Sequence, residues 1–350
     1  MYKHEHHKRI AGLLDRLDAG FLNDAGCFFG GGTAIVLLLD EYRESVDIDF
    51  IVSSREGYAA IREAVARDGL AGLMPSPVPL HGTIRTDRDK IQMWLNPDQK
   101  RPVKLEIVYE ARIDVAGEAS PWGIPMLSRV DMYAEKLLAN ADRWNDKSSG
   151  NRDALDLAMM LEHWGPVPAK AWQKAEAVYG SSVYDAFGKA VMRLGDNGYL
   201  QECLDAMQFA ADGHVLLARL NGQLRLSADK LPDWSTVADY LQTQTQQALD
   251  RVSAPLALDP SPALQQFLID AAYRYTVQAT NLNSGRYQGE ILWTDGLHAV
   301  QSVGRDTLVV HASRDWHPAP TTGKVMDVQY QHGLSHAHEH RSHRPRTLSR

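Results

Sequence analysis

The chain has 350 residues, 44% of them hydrophobic and 23% charged, with a formal net charge of -7 and a pI near 6.0. That length allows two or three domains with ordinary cores, and the acidity excludes a chain built throughout for nucleic acid while leaving room for a local basic patch. Two distant cysteines, Cys27 and Cys203, exclude a disulfide framework, and no apolar run is long enough to span a membrane, so a soluble chain in a reducing, cytoplasmic compartment is expected.

The opening stretch "MYKHEHHKRIAGLLDRLDAG" is charged throughout and lacks the apolar block of a signal peptide. Ile10, Leu13, Leu14 and Leu17 fall on one side of an amphipathic helix. A short apolar strand at 27–29 precedes a glycine triplet, a helix follows at 33–39, and "DIDFIV" alternates as a strand. "YAAIREAVARDGL" has helical period, whereas "KIQMWL" and "VKLEIVYE" are strands. From 128 to about 251 the pattern is helical, clearest over 128–144 and 152–164, with breaks at Gly165-Pro166, Gly195 and Leu231-Pro232. "SAPLALDPSP" at 253–262 reads as a linker before a helix at 263–279. After Gly285 come short β-rich runs: "GEILWT", "HAVQSV", "TLVVHA" and "KVMDVQYQ". The end, "GLSHAHEHRSHRPRTLSR", has no apolar periodicity and is expected to be a disordered, basic tail. Its His336, His338, His340 and His343 could take zinc adventitiously, and Arg341, Arg344, Arg346 and Arg350 could add weak phosphate contacts.

The chemistry concentrates in "GGGTAIVLLLDEYRESVDIDFIVSS". Asp47 and Asp49 alternate with Ile48 and Phe50, so both carboxylates share one strand face. Such a pair repels unless a cation or proton sits between them. Magnesium commonly takes one or two carboxylates together with substrate phosphates. Glycines at a helix N-terminus let backbone N–H groups face an anion. A triphosphate bridging the glycine turn to a metal on the aspartates accounts for both features. No GxxxxGK[ST] is present, so this is not a P-loop.

The later elements are compatible with that site. Glu106 in "VKLEIVY" shares a strand face with Lys104. On 128–144 an apolar stripe leaves Lys136, Asn140 and Arg143 together on a polar face, where Lys136 alone would be an ordinary solvated residue. Asp153 and Asp156, at i and i+3, share a face of the next helix.

With these residues in view, "GGTAI…RESVDIDF" resembles the nucleotidyltransferase superfamily, and specifically the AbiEii/AbiGii toxin family. That family also carries a lysine on a later helix and an "RDxxD" element, matched here by Lys136 in "AEKLLA" and by Arg152, Asp153 and Asp156 in "NRDALDL". The resemblance covers roughly 20–165; the segment "LLANADRWNDKSSGN" is slightly longer than usual, which leaves open whether Asp153 or Asp156 is the functional acid. It implies a magnesium-dependent transfer of a nucleotide from an NTP to an acceptor hydroxyl. Asp47 and Asp49 would hold the metal. Gly31, Gly32 and Thr33, with Ser45 nearby, would cradle phosphate. Lys136, with Arg152, would neutralise it, and Glu106 could be a third, base-acting carboxylate. An RNA acceptor such as tRNA and a cognate antitoxin are implied. The alternatives are a small-molecule acceptor or a non-catalytic NTP- or partner-binding protein.

Residues 285–333, with "Y-x-G-x-I", "Q-x-V-G-R", "V-V-H" and "G-K…V-x-Y-x-x-G", resemble the KfrB-type domain of plasmid and mobile-element proteins. Tyr287, Arg305 and His311 could line a binding face there, or His311 could sit in a small core. The expected architecture is α+β: a nucleotidyltransferase-fold mixed sheet over 1–125, an α-helical domain over 126–252, a linker and helix over 253–284, a small barrel-like β module over 285–333 and a tail over 334–350.

Overall fold

The computed structural model describes residues 2–256, 260–271, 275–304 and 307–340. Packing divides the chain into two units, 1–232 and 233–350.

The first unit opens with α1 (Glu5–Leu14), whose Ile10, Leu13 and Leu14 are buried as the apolar spacing requires, together with His6 and His7. α2 (Ala19–Asp24) starts where the Asp18 carboxylate accepts the N–H of Phe21. β1 (Cys27–Gly30) runs directly into α3 (Gly31–Leu38), and β2 (Asp47–Val52) returns antiparallel to β1. α4 (Arg55–Asp68) is capped by Ser54. β3 (Arg85–Thr86), β4 (Lys90–Leu95), β5 (Val103–Tyr109), β6 (Gly117–Ala119) and β7 (Pro125–Leu127) complete a seven-stranded mixed sheet in the order β3-β4-β5-β2-β1-β7-β6. On β2, β4 and β5, Ile48, Phe50, Ile91, Met93, Leu105 and Ile107 are buried. Alternation therefore turns Asp47, Asp49, Gln92, Trp94, Lys104 and Glu106 to the opposite face.

Helices follow: α5 (Arg129–Arg143), α6 (Arg152–Trp164), α7 (Ala169–Tyr179), α8 (Ser182–Leu194), α9 (Asn197–Ala206) and α10 (Gly213–Leu226). Ser128 caps α5 by accepting the N–H of Asp131. The divide expected near 125 lies inside this unit, where α3 packs on β1 and β2 as well as on α5 and α6.

In the second unit, α11 (Trp234–Leu256) begins just after the Leu231-Pro232 break and runs on into the segment expected as a linker. α12 (Pro262–Ala271) is shorter than the helix expected to reach 279. Thr276–Gln278 forms β8 instead, paired parallel to β11 (Thr307–Ala312). Its β-branched Thr276 and Val277 suit a pleated edge better than a helix end. β9 (Arg286–Thr294), β10 (His298–Ser302), β12 (Val325–Gln331) and β13 (Leu334–Glu339) complete a six-stranded sheet, order β13-β12-β9-β10-β11-β8.

β13 corrects the expectation of disorder from 334. His332 and Gly333 both have positive φ, 50° and 86°, which suits the tight turn from β12 into β13. Ser335 accepts the indole N–H of Trp316 at 2.9 Å, and Ala337 packs on the Met326–Val328–Tyr330 cluster. His336, His338 and His340 are exposed, with Asp327 accepting from His340 Nδ1 at 2.7 Å. His343 and the tail arginines lie outside the described residues, as does Arg305.

His311 belongs to the core of this unit. Its Nε2–H donates to Gln301 Oε1 and its Nδ1 accepts from the Tyr330 hydroxyl, each at 3.0 Å. Gln301 is oriented for this by donating its amide to the carbonyls of Gly289 and Met326. Burial pushes the His311 imidazole down to about 3. Tyr287 packs edge-on to the His311 ring.

Candidate active site

The glycine turn and the aspartates meet through the β1–β2 register, in which Gly30 faces Asp49. Gly31 begins α3 at φ 69°, a left-handed conformation, and a Cβ there would lie 2.5 Å from Asp49 Oδ2. Only glycine lets the chain pass this carboxylate. Gly32 is held as tightly on its other side: a Cβ would lie 2.7 Å from an Arg43 guanidinium nitrogen. The Thr33 hydroxyl donates to the carbonyl of Asp47 at 2.5 Å and accepts from Ser45 Oγ at 2.8 Å. These two hydroxyls therefore lock α3 to the start of β2.

Asp47 and Asp49 share the sheet face as their alternation predicts. β5 runs parallel to β2 and brings Lys104 beside Asp47 and Glu106 beside Asp49. Burial, with Asp47 and Glu106 nearby, lifts the Asp49 carboxyl to about 6, against the pull of Lys104 and Lys136. Lys104 Nζ bridges Asp47 at 3.0 Å and Glu106 at 3.1 Å, and Lys90 adds a second ammonium 3.1 Å from Glu106. Against the effect of burial, these lysines hold the Glu106 carboxyl below its ordinary range. Among the described residues no three His, Cys, Asp or Glu side chains gather closely enough to hold a metal ion unaided. The two aspartates nonetheless suit magnesium, which takes few protein carboxylates and completes its octahedron with phosphate and water.

Lys136 lies on the face of α5 turned inward, only 7% exposed, which overturns its reading as a solvated residue taken alone. Its ammonium is 3.0 Å from Asp153 and 2.7 Å from Asp156. Both acids are therefore engaged. Asp156, fully buried, also accepts two hydrogen bonds from Arg43 at 2.9 Å each and one from the Tyr42 hydroxyl at 2.7 Å. Asp153 accepts from Arg143 at 2.6 and 2.9 Å. Despite burial, Arg43 and Lys136 hold the Asp156 carboxyl far below its usual range. Arg152 is exposed on the first turn of α6, while Asp153 and Asp156 are buried. The arginines that meet these acids are Arg43 and Arg143.

Arg43 and Tyr42, to which the sequence assigned no role, come from the segment between α3 and β2 that also carries Ser45. Its Asp40 and Glu41 have positive φ, 62° and 52°, a conformation non-glycine residues adopt rarely. α1 restrains it. His7 Nδ1 pairs with Glu41 at 2.6 Å while its Nε2 accepts the N–H of Ser45 at 3.0 Å. His6 bonds the carbonyl of Val46, and the Lys3 N–H donates to Glu41. The sequence signal was present in "HEHH": two histidines on the apolar side of an amphipathic helix.

Residues 286–336 match the KfrB domain. No curated protein matches the chain. A crystal structure of JHP933 from Helicobacter pylori is similar at 17% identity, covering 69% of this chain and all of that one with a TM-score of 0.40. A putative nucleotidyltransferase from H. pylori is similar at 13% identity over 69% of this chain and 96% of its own, with a TM-score of 0.38. Among the described residues no helix is long and apolar enough to cross a membrane. Residues 13–271 match the family described as nucleotidyl transferase AbiEii toxin of type IV toxin–antitoxin systems. The span takes in the glycine turn, the aspartate pair and the Lys136 network, and the chain belongs to that nucleotidyltransferase toxin family.

Proposed function

We propose that this chain transfers a nucleotide from an NTP to a hydroxyl of an RNA acceptor of the tRNA kind, with Mg2+ as cofactor, and that a cognate antitoxin restrains it. The observation that carries the reading is the fit of Gly31 against Asp49. A turn without side chains sets the backbone at the start of α3 directly against the carboxylate pair, which suits a ligand that carries both phosphate and a cation. Asp47 and Asp49 would hold Mg2+, which when bound offsets charge on the attacking and leaving oxygens. The N–H groups at the start of α3 face the phosphates, and Thr33 and Ser45 keep that helix end in place rather than binding phosphate with their hydroxyls.

Lys136 contributes through its field. Lys136, Arg43 and Arg143 set three cations against the carboxylates of Asp153 and Asp156. The surplus positive charge lies behind Gly32, where it favours a polyanion. Glu106 is the candidate base for the acceptor hydroxyl: its carboxyl is held ionised, and it lies beside Asp49 across the β2–β5 ladder.

The test is incubation with each labelled NTP, Mg2+ and total RNA, followed by separation of labelled RNA. Label should enter RNA in a Mg2+-dependent way and be lost in Asp47→Asn and Asp49→Asn. Label in a small molecule but in no RNA would reject the RNA acceptor. Label in neither would reject transfer.

A further inference from the structure

Beyond the carboxylates, the same face of the sheet continues outward. Register aligns Asp49, Glu106, Gln92 and Arg85 in one row across β2, β5, β4 and β3, and Asp47, Lys104 and Trp94 in the next. Directly paired residues project to the same side. Trp94 is therefore an indole on that face, 40% exposed, paired with Lys104 and with Arg85 on the diagonal in β3. Every other residue of β4 that shares its face is polar, while Ile91, Met93 and Leu95 fill the core side. Trp94 is the one aromatic side chain on this face of β4, and two-fifths of it stays open to solvent.

We infer that Trp94 is the stacking platform for the unpaired terminal nucleotide of the acceptor RNA, and that Arg85, with Lys104 and Lys90 already offsetting the carboxylates of that face, lets the adjoining phosphates approach. The inference rests on the RNA-transfer reading above and narrows it to single-stranded ends. Strands lie about 4.8 Å apart, so Trp94 is about 10 Å from Asp47 across two of them. A terminal nucleotide with its base on the indole can turn its ribose hydroxyl toward Glu106 and the aspartates. Aromatic side chains interleaved with cations are how proteins hold single strands without reading sequence, since every base has a π face. A base already paired and stacked in a duplex has no face to offer, so an unpaired end is selected.

The experiment compares wild type, Trp94→Ala and Trp94→Phe on a short single-stranded RNA with a free 3′ hydroxyl and on a blunt duplex carrying the same terminal sequence. Trp94→Ala should raise KM for the single strand at least about tenfold, the loss of one stacked base, with the change falling on KM rather than kcat. Trp94→Phe should restore most of the loss. Binding of the same RNA to Asp47→Asn and to Asp47→Asn/Trp94→Ala, followed by anisotropy, should show an equal gap without turnover, and the duplex should bind more weakly than the single strand. If wild type labels RNA while Trp94→Ala keeps the wild-type KM, the platform is overturned and the transfer reading stands. Equal use of duplex and single strand overturns it too. If wild type labels no RNA, the transfer reading fails and the platform fails with it.

Discussion

Asp156→Asn tests the buried network most directly. The wild-type carboxylate is fully buried and answers Lys136 at 2.7 Å, both arms of Arg43 at 2.9 Å and the Tyr42 hydroxyl at 2.7 Å. Asparagine keeps the shape and one acceptor, but it leaves three cations facing the single carboxylate of Asp153. Removing one partner of a buried ion pair costs about 3–5 kcal/mol, because the survivor's charge stays desolvated. That range is expected here, measured as the loss in unfolding free energy by denaturant titration followed by circular dichroism. Lys136→Met should cost less, since Asp156 keeps Arg43 and Asp153 keeps Arg143. The contrast carries the argument, because a purely steric effect would not order the two variants this way. The pH dependence follows the same charges. The Asp156 carboxyl titrates lower when folded than when unfolded, so its contribution is present above the unfolded pKa of about 3.9 and is lost as the pH falls below it. A loss under about 1 kcal/mol for Asp156→Asn, or a larger loss for Lys136→Met, would refute the reasoning.

Asp49→Asn should abolish transfer while thermal stability holds or rises, because it removes a buried carboxylate that its neighbours repel; a drop in melting temperature alongside lost activity would mark Asp49 as a structural residue. Gly31→Ala combines a left-handed φ with a Cβ driven onto Asp49, and should cost more than about 1 kcal/mol together with activity, whereas a near-native melting temperature would show that the turn can open. In the second unit the His311 imidazole is depressed below its unfolded value of about 6.5, so its contribution is present above that pH and is lost as the pH falls toward 3. Unfolding scans between pH 7 and pH 4 should show a slope that His311→Gln flattens, and an unchanged slope would mean that the ring protonates without cost.

The carboxylate face was legible because it depends on period alone. Alternation puts Asp47 and Asp49 on one side of β2, and "VKLEIVY" repeats the same alternation on the neighbouring strand. What alternation cannot give is register across strands. That Lys104 bridges Asp47 to Glu106, and that Trp94 lies in the same row, depends on tertiary pairing. Helix phase explains the outcome for "NRDALDL". Asp153 and Asp156 at i, i+3 turn inward together, and Arg152, one residue earlier and about 100° round the helix, is exposed. Lys136 could not be told from a surface lysine, because its partners Asp153 and Asp156 lie on another helix. Arg43 and Tyr42 follow no period at all, and only the fold brings them to Asp156.

The two charge clusters together set the field at the glycine turn. In front of it, Asp47, Asp49 and Glu106 are three carboxylates against the ammonium groups of Lys90 and Lys104. Behind it, Arg43, Lys136 and Arg143 outnumber Asp153 and Asp156. Gly31 touches the first cluster through Asp49 and Gly32 touches the second through Arg43, so adjacent residues separate an anionic face from a cationic one. Such a gradient suits a ligand that carries negative charge and arrives with a divalent cation: on the proposed reading the cation would meet the carboxylates while the phosphates would meet the helix N-terminus and the surplus cations beyond it. It also explains why the segment between α3 and β2 is pinned so heavily by His7, His6 and Lys3. Arg43 and Ser45 belong to that one segment, and a shift in it would disturb the support of the turn and the partner of Asp156 at once. The amino-terminal helix, whose apolar stripe is ordinary, therefore bears on the chemistry through residues that never reach the site.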